Sequence, residues 1–210
     1  MTANHIASPE LAACEVHGMT RASFILRGAL AAGAVYGAGS VAPFVSQALA
    51  QPGGEDAEIL NFALTLEYLE ADFYTVKARQ VGLSGQAKAY AAQFGAEEAE
   101  HVTALAATVK QLGGVPAKKP RFSFPATNES SFLALASVLE NTGVGAYNGA
   151  APMLRSKQLL TTAGSIAQVE ARHAAAIELL LARTPTPNGG FDVPLSKAQV
   201  LAKAGPLIKA

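Results

Sequence analysis

Beyond residue 50 the sequence holds two histidines, His101 and His173, and each stands three residues after a glutamate, Glu98 and Glu170. Both pairs sit on stretches whose apolar residues recur with the helical period: Tyr90, Phe94, Leu105 and Leu112 around the first, Ile166, Ile177 and Leu180 around the second. Two more such stripes carry a glutamate followed seven residues later by a tyrosine, Glu67 with Tyr74 and Glu140 with Tyr147. In chain order the pattern reads E-x6-Y, E-x2-H, E-x6-Y, E-x2-H, and its halves lie about 72 residues apart. A carboxylate in the middle of an apolar stripe is poorly tolerated unless something of opposite charge meets it. Four stripes interrupted in this way are therefore expected to face one another.

The connections agree with that arrangement. The helical pattern predicts helices over about 56–80, 85–112, 130–153 and 158–183, and strand signals are nearly absent. "VGLSG" is a turn, with Ser84 placed to cap the second helix. "GGVPAKKPRFSFPATNESS", residues 113–131, is too rich in Gly and Pro for a helix and too long for a tight link between antiparallel neighbours. It reads as a crossover along the outside of a bundle. "TPTPNGG" is a linker, and "PLSKAQVLAKAGPLIKA" can form one short helix before Gly205-Pro206. The expected fold is all-α, a four-helix bundle with one long crossover between helices 2 and 3 and a short C-terminal helix. Its domain bounds are 51–184 for the bundle and 185–210 for the linker and last helix.

The spacings carry chemistry as well as topology. Residues three apart share a helix face, so each E-x2-H pair can reach one point, and seven residues are nearly two turns. Glu67, Glu98, His101, Glu140, Glu170 and His173 together offer four carboxylates and two imidazoles. Such an oxygen-rich set suits two divalent ions, iron for preference and manganese as the alternative. One E-x2-H alone would be weak, because Glu and His are commonly three apart on solvated faces. Four matched stripes are a different matter. Glu70, one turn from Glu67, can substitute for it or stand behind it. Tyr74 and Tyr147 are either core aromatics or donors to the ligand carboxylates. Glu97 and Glu100 read as flanking charges, Asp72 and Glu178 as surface charges, and Gly143 and Gly145 as sites of close approach or a local bulge. No catalytic acid or base stands out beyond the metal ligands.

Composition narrows the partners. Sixteen basic and sixteen acidic residues balance, so nothing points to nucleic acid. Cys14 is the only cysteine, which excludes an internal disulfide and multi-thiolate metal sites.

Residues 1–50 read as an upstream segment and an export signal. Arg21 and Arg27 flank a weakly apolar Ala/Gly-rich run, and Ala48-Leu49-Ala50 offers a signal-peptidase site before Gln51. "TRASFILRGAL" is similar to a twin-arginine signal, with Ala22 where the second arginine would stand, so the general secretory route is equally open. The run from Phe24 to Val45 is long enough for an uncleaved membrane anchor, but its glycines and Pro43 make a poor permanent span. Translation can start at Met1 or at Met19. The exported protein is expected in the periplasm or cell wall, without a stable membrane span in its mature form, and a homodimer stays open.

"LNFALTLEYLEADFY", "AEEAEHVTAL", "VLENTGVGAYNGA" and "IAQVEARHAAAIELL" together resemble the ferritin-like di-metal carboxylate superfamily, and within it the exported bacterial ferritin-like proteins related to the desiccation-related group. The resemblance covers about residues 56–183. It implies that Glu67 and Glu140 are terminal ligands, that Glu98 and Glu170 bridge two ions, and that His101 and His173 bind one each. It further implies reaction with dioxygen or hydrogen peroxide, as in ferrous iron oxidation or peroxide removal. Manganese-dependent peroxide dismutation, or a stress-protective bundle that the metal merely stabilises, are the alternatives. The export signal is unlike cytoplasmic storage ferritins, and a cysteine-rich electron-transfer module of the rubrerythrin kind is lacking.

Overall fold

A computed structural model describes residues 54–209. The export signal expected within residues 1–50 lies outside the described residues. Helix α1 (Gly54–Asp72) runs on through a π-helical turn, Phe73–Lys77, and a last α turn, Ala78–Val81. Gly82, at φ 75°, ends it in the left-handed conformation that glycine adopts without strain. Helix α2 (Gly85–Gln111), helix α3 (Glu129–Ala150) and helix α4 (Lys157–Leu180) complete the bundle, and α5 (Lys197–Ala204) follows. The fold is the all-α bundle expected, with the long crossover between α2 and α3. Alanine, leucine and glutamate, the residues that lose least on entering a helix, make up about half or more of α1, α2 and α4, whereas α3 also carries three glycines and three serines.

The helix starts are capped by short polar side chains. Asn128 and Ser131 form a reciprocal capping box on α3, Ser156 accepts from Leu159 N on α4, and Ser196 pairs with Gln199 on α5. Ser84 departs from its expected role. It occupies the N-cap position of α2, but its hydroxyl and backbone N–H both donate to Glu129 Oε2, at 2.9 and 2.8 Å. It thus ties the α1–α2 turn to the start of α3.

The crossover is pinned at several points. Asn61 of α1 donates to Val115 O at 3.0 Å and accepts from Ala117 N at 2.7 Å, and Lys119 pairs with Asp72. Two short strands, β1 (Arg121–Phe122) in the crossover and β2 (Ile208–Lys209) in the tail, pair antiparallel. The tail lies on α3. Leu195 N donates to Gly145 O at 2.8 Å, and a Cβ at Gly149 would fall 1.9 Å from Leu195 O. Gly149 therefore admits the tail backbone and Gly145 chiefly the Leu195 side chain, so both accommodate the tail and not a neighbouring bundle helix or a bulge.

Two apolar clusters fill the bundle. One gathers Phe73, Phe94, Phe132, Leu139 and Ile177, with Phe73 and Phe132 stacked at 4.2 Å. The other gathers Leu60, Leu64, Leu105, Val109 and Ile166. Between them lies the polar centre described below. No helix among the described residues is long and apolar enough to cross a membrane.

Candidate metal centre

The four long helices bring Glu67, Glu98, His101, Glu140, Glu170 and His173 into one cluster, all buried but for a partly exposed His101. Two overlapping groups arise. Glu67, Glu98, His101 and Glu170 each offer an atom within 4.8 Å of the others, and so do Glu98, Glu140, Glu170 and His173. Glu98 and Glu170 belong to both. Each lies three residues before its histidine on an unbroken helix, so helix geometry alone brings the pair to one face.

The contacts are those of atoms crowding toward shared points. His101 Nδ1 lies 3.2 Å from Glu67 Oε2, 3.0 Å from Glu98 Oε2 and 3.1 Å from Glu170 Oε1. One ring nitrogen, with at most one proton, cannot donate to three oxygens. His173 Nδ1 lies 3.0 Å from Glu98 Oε1 and 3.6 Å from Glu140 Oε2. Glu98 Oε1, Glu140 Oε2, both oxygens of Glu170 and His173 Nδ1 are buried and make no hydrogen bond of acceptable geometry. Buried polar atoms are ordinarily paired. Five left over in one place, all oxygens or an imidazole nitrogen, match the donor set of a hard or borderline divalent cation pair.

The tyrosines are placed differently from the simplest reading of E-x6-Y. Tyr74 donates to Glu140 and Tyr147 to Glu67, each across the bundle to the other half of the repeat. Seven residues of helix span roughly 10 Å, too far for a tyrosine to serve the glutamate of its own helix. Because α1 and α3 run antiparallel, Tyr74 comes level with Glu140 and Tyr147 with Glu67. Both bonds use Oε1 and leave Oε2 of each glutamate turned to a histidine. Tyr74 lies in the π-helical turn, which breaks the α register of α1 within the site wall.

Glu70 is buried beside the cluster but belongs to neither four-residue group. Its counterpart in the repeat is Gly143, where a Cβ would lie 3.3 Å from both Glu70 Oε1 and Glu170 Oε2. The missing side chain there makes room for Glu70. Two further glutamates have roles their sequence positions did not show. Glu97 accepts from His173 Nε2 at 2.6 Å and from Gln93 Nε2 at 3.0 Å. Glu178, expected at the surface, is buried and accepts from Ser137 Oγ at 2.6 Å and Asn141 Nδ2 at 3.0 Å. Glu100 is exposed.

Burial governs the charges. It lifts Glu67 from 4.5 to about 8 against the pull of His101. Burial, with the charges of Glu170 and Glu140, holds Glu70 well above the usual carboxylate range. Glu170 and Glu140 are raised first by burial too. Glu98 is pushed up by burial, but its bonds with His101, His173 and Glu67 win and bring it to about 2. Burial pulls both histidines down, and the facing carboxylates outweigh it. Glu170, Glu67 and Glu98 raise His101 to about 12, and Glu140 and Glu98 raise His173 to about 11. Without a metal, two imidazolium rings supply the positive charge that the carboxylates require.

The family model for the ferritin-like domain matches residues 55–183, which hold the four bundle helices, all six clustered side chains and both tyrosines. No curated protein matches the chain.

Proposed function

The chain belongs to the ferritin-like domain family, and on that premise we propose that its cluster holds two divalent ions, iron for preference or manganese, in an exported protein that oxidises ferrous iron or removes peroxide. The observation that carries the reading is the sharing of Glu98 and Glu170 between two four-residue groups, each within 4.8 Å. Glu67 and His101 would complete one ion's surroundings, Glu140 and His173 the other's. When bound, such a pair supplies two-electron chemistry toward dioxygen or hydrogen peroxide. The chain's own part is to fix and enclose. Tyr74 and Tyr147 hold one oxygen of Glu140 and Glu67 and so aim the other. The two apolar clusters flank the ligands, and the bundle leaves only His101 partly open to solvent. A cavity of about 460 Å³ has Tyr74, the donor to Glu140, among its lining residues. Export rests on the arginine-flanked apolar run of residues 20–50.

The test is to load the protein with ferrous iron without oxygen, admit air, and follow oxygen uptake and near-ultraviolet absorbance, with peroxide consumption by the manganese form in parallel. Rapid turnover of either substrate supports the reading. A protein carrying two ions that consumes neither would leave the metal a stabilising role only. Export is checked by the N-terminus of the protein recovered outside the cytoplasm, expected at Gln51.

A further inference from the structure

The repeat is faithful at the six clustered residues and fails beside them, at Glu70, whose counterpart is Gly143, and again at Glu97. Position 97 precedes the shared Glu98, and 72 residues later Val169 precedes the shared Glu170. Glu97 Oε2 lies 2.6 Å from His173 Nε2, and Gln93 holds the other oxygen of Glu97. The His173 ring also stacks on Phe94, with centroids 3.9 Å apart. The positions matching Gln93, Phe94 and Glu97 are Ser165, Ile166 and Val169, which offer neither an aromatic face nor a carboxylate. His101 accordingly uses Nδ1 toward the cluster, while its Nε2 makes no bond among the described residues. Its side chain is 11% exposed against 2% for His173.

We propose that the two cation positions are unequal and that Glu97 is the positioning residue that makes them so. The ion beside His173 is the retained one, and the ion beside His101 is the exchangeable one. The inference rests on the two-ion reading above and adds to it which half of the site turns over. An imidazole whose second nitrogen is held by a carboxylate is fixed in ring orientation and is a more basic ligand. His173 has that support and a stacked wall besides. His101 must be ordered by the ion itself, and solvent reaches its outer edge.

The test is calorimetric titration of the metal-free full chain with manganese(II) in the presence of a competing chelator. The expected result is two resolved binding steps. Glu97→Ala weakens the tighter step about 10- to 100-fold and leaves the weaker one in place. The Glu97 side chain is 35% exposed, so its loss spares the core, and a general loss of structure would move both steps. Should the alanine variant not fold, Glu97→Gln is judged by the same criterion. Two equal steps in the natural chain, a variant that shifts neither, or one that weakens both alike overturns the inference and leaves the two-ion reading standing. A natural chain that binds no manganese overturns both.

Discussion

The hydroxyl of Tyr74 on α1 donates to the carboxylate of Glu140 on α3, so a residue of the first half of the repeat completes the site of the second, and Tyr147 returns the arrangement to Glu67. Burial first, and then the nearby carboxylate charge, holds both phenols well above 10, so they remain donors across the physiological range. Glu140 faces His173 and Glu67 faces His101. Tyr74→Phe is therefore expected to shift the ring resonances of His173 and spare those of His101, and Tyr147→Phe to do the reverse. Each change removes one buried donor and should lower the stability of the metal-free protein by about 1–3 kcal/mol. The opposite pattern of resonance shifts would mean that each tyrosine serves its own helix.

The six clustered residues were legible in the sequence because helical periodicity is local: E-x2-H puts Glu98 and His101 on one face whatever surrounds them. What depends on which helix faces which was not legible. The crossing of Tyr74 to Glu140 requires the antiparallel placement of α1 and α3, and its bonded residues are 66 positions apart. Glu97 read as a flanking charge because its partner, His173, lies 76 positions away. Glu178 read as a surface charge because Ser137 and Asn141, which make its burial tolerable, sit on another helix. The turn between α1 and α2 follows the same rule: Ser84 has the sequence position of a cap, and only the approach of Glu129 turns its hydroxyl elsewhere.

Gly149 on α3 tests the seating of the C-terminal tail. A methyl group there would meet the Leu195 carbonyl oxygen at 1.9 Å, and backbone cannot swing aside as a side chain can. Gly149→Ala is expected to destabilise the protein by about 1–3 kcal/mol, or to lift the tail off α3. Gly164 on α4 has nothing within 4 Å of its Cβ position. Gly164→Ala should instead stabilise by about 0.5–1 kcal/mol through helix propensity alone. Denaturant unfolding of the two variants reads the contrast directly.

Glu70 and Glu67 are one turn apart on α1 and both buried, yet only Glu67 enters a four-residue group. Glu70→Gln exchanges a carboxyl already disposed to stay protonated for a neutral amide of the same shape. It is expected to keep two ions per chain by elemental analysis and to change metal-free stability by less than about 1 kcal/mol. Glu67→Gln should retain the ion beside His173 and lose much of the one beside His101. Equal losses in the two variants would promote Glu70 to a ligand.

Metal removal and pH are linked through the same side chains. Glu67 keeps its proton in the folded protein to about 8, against 4.5 when unfolded, so its contribution is present below 4.5 and lost as pH rises through 8. His101 and His173, raised to about 12 and 11, contribute below 6.5 and lose that contribution as pH climbs through those values. Glu98, depressed to about 2, has the opposite sign: its contribution is present above 4.5 and lost as pH falls through 2. Between pH 5 and 8 the raised groups govern, and the metal-free protein should lose stability as pH rises. Metal binding displaces these protons, so affinity rises over the same interval. Free metal at a thousandfold excess over its dissociation constant adds about 4 kcal/mol for each ion. Scanning calorimetry of loaded and chelator-treated protein should therefore show two unfolding temperatures that diverge from pH 5 to pH 8. Curves that run parallel across that range would show that the ions do not displace protons from Glu67, His101 and His173, and would place them elsewhere in the molecule.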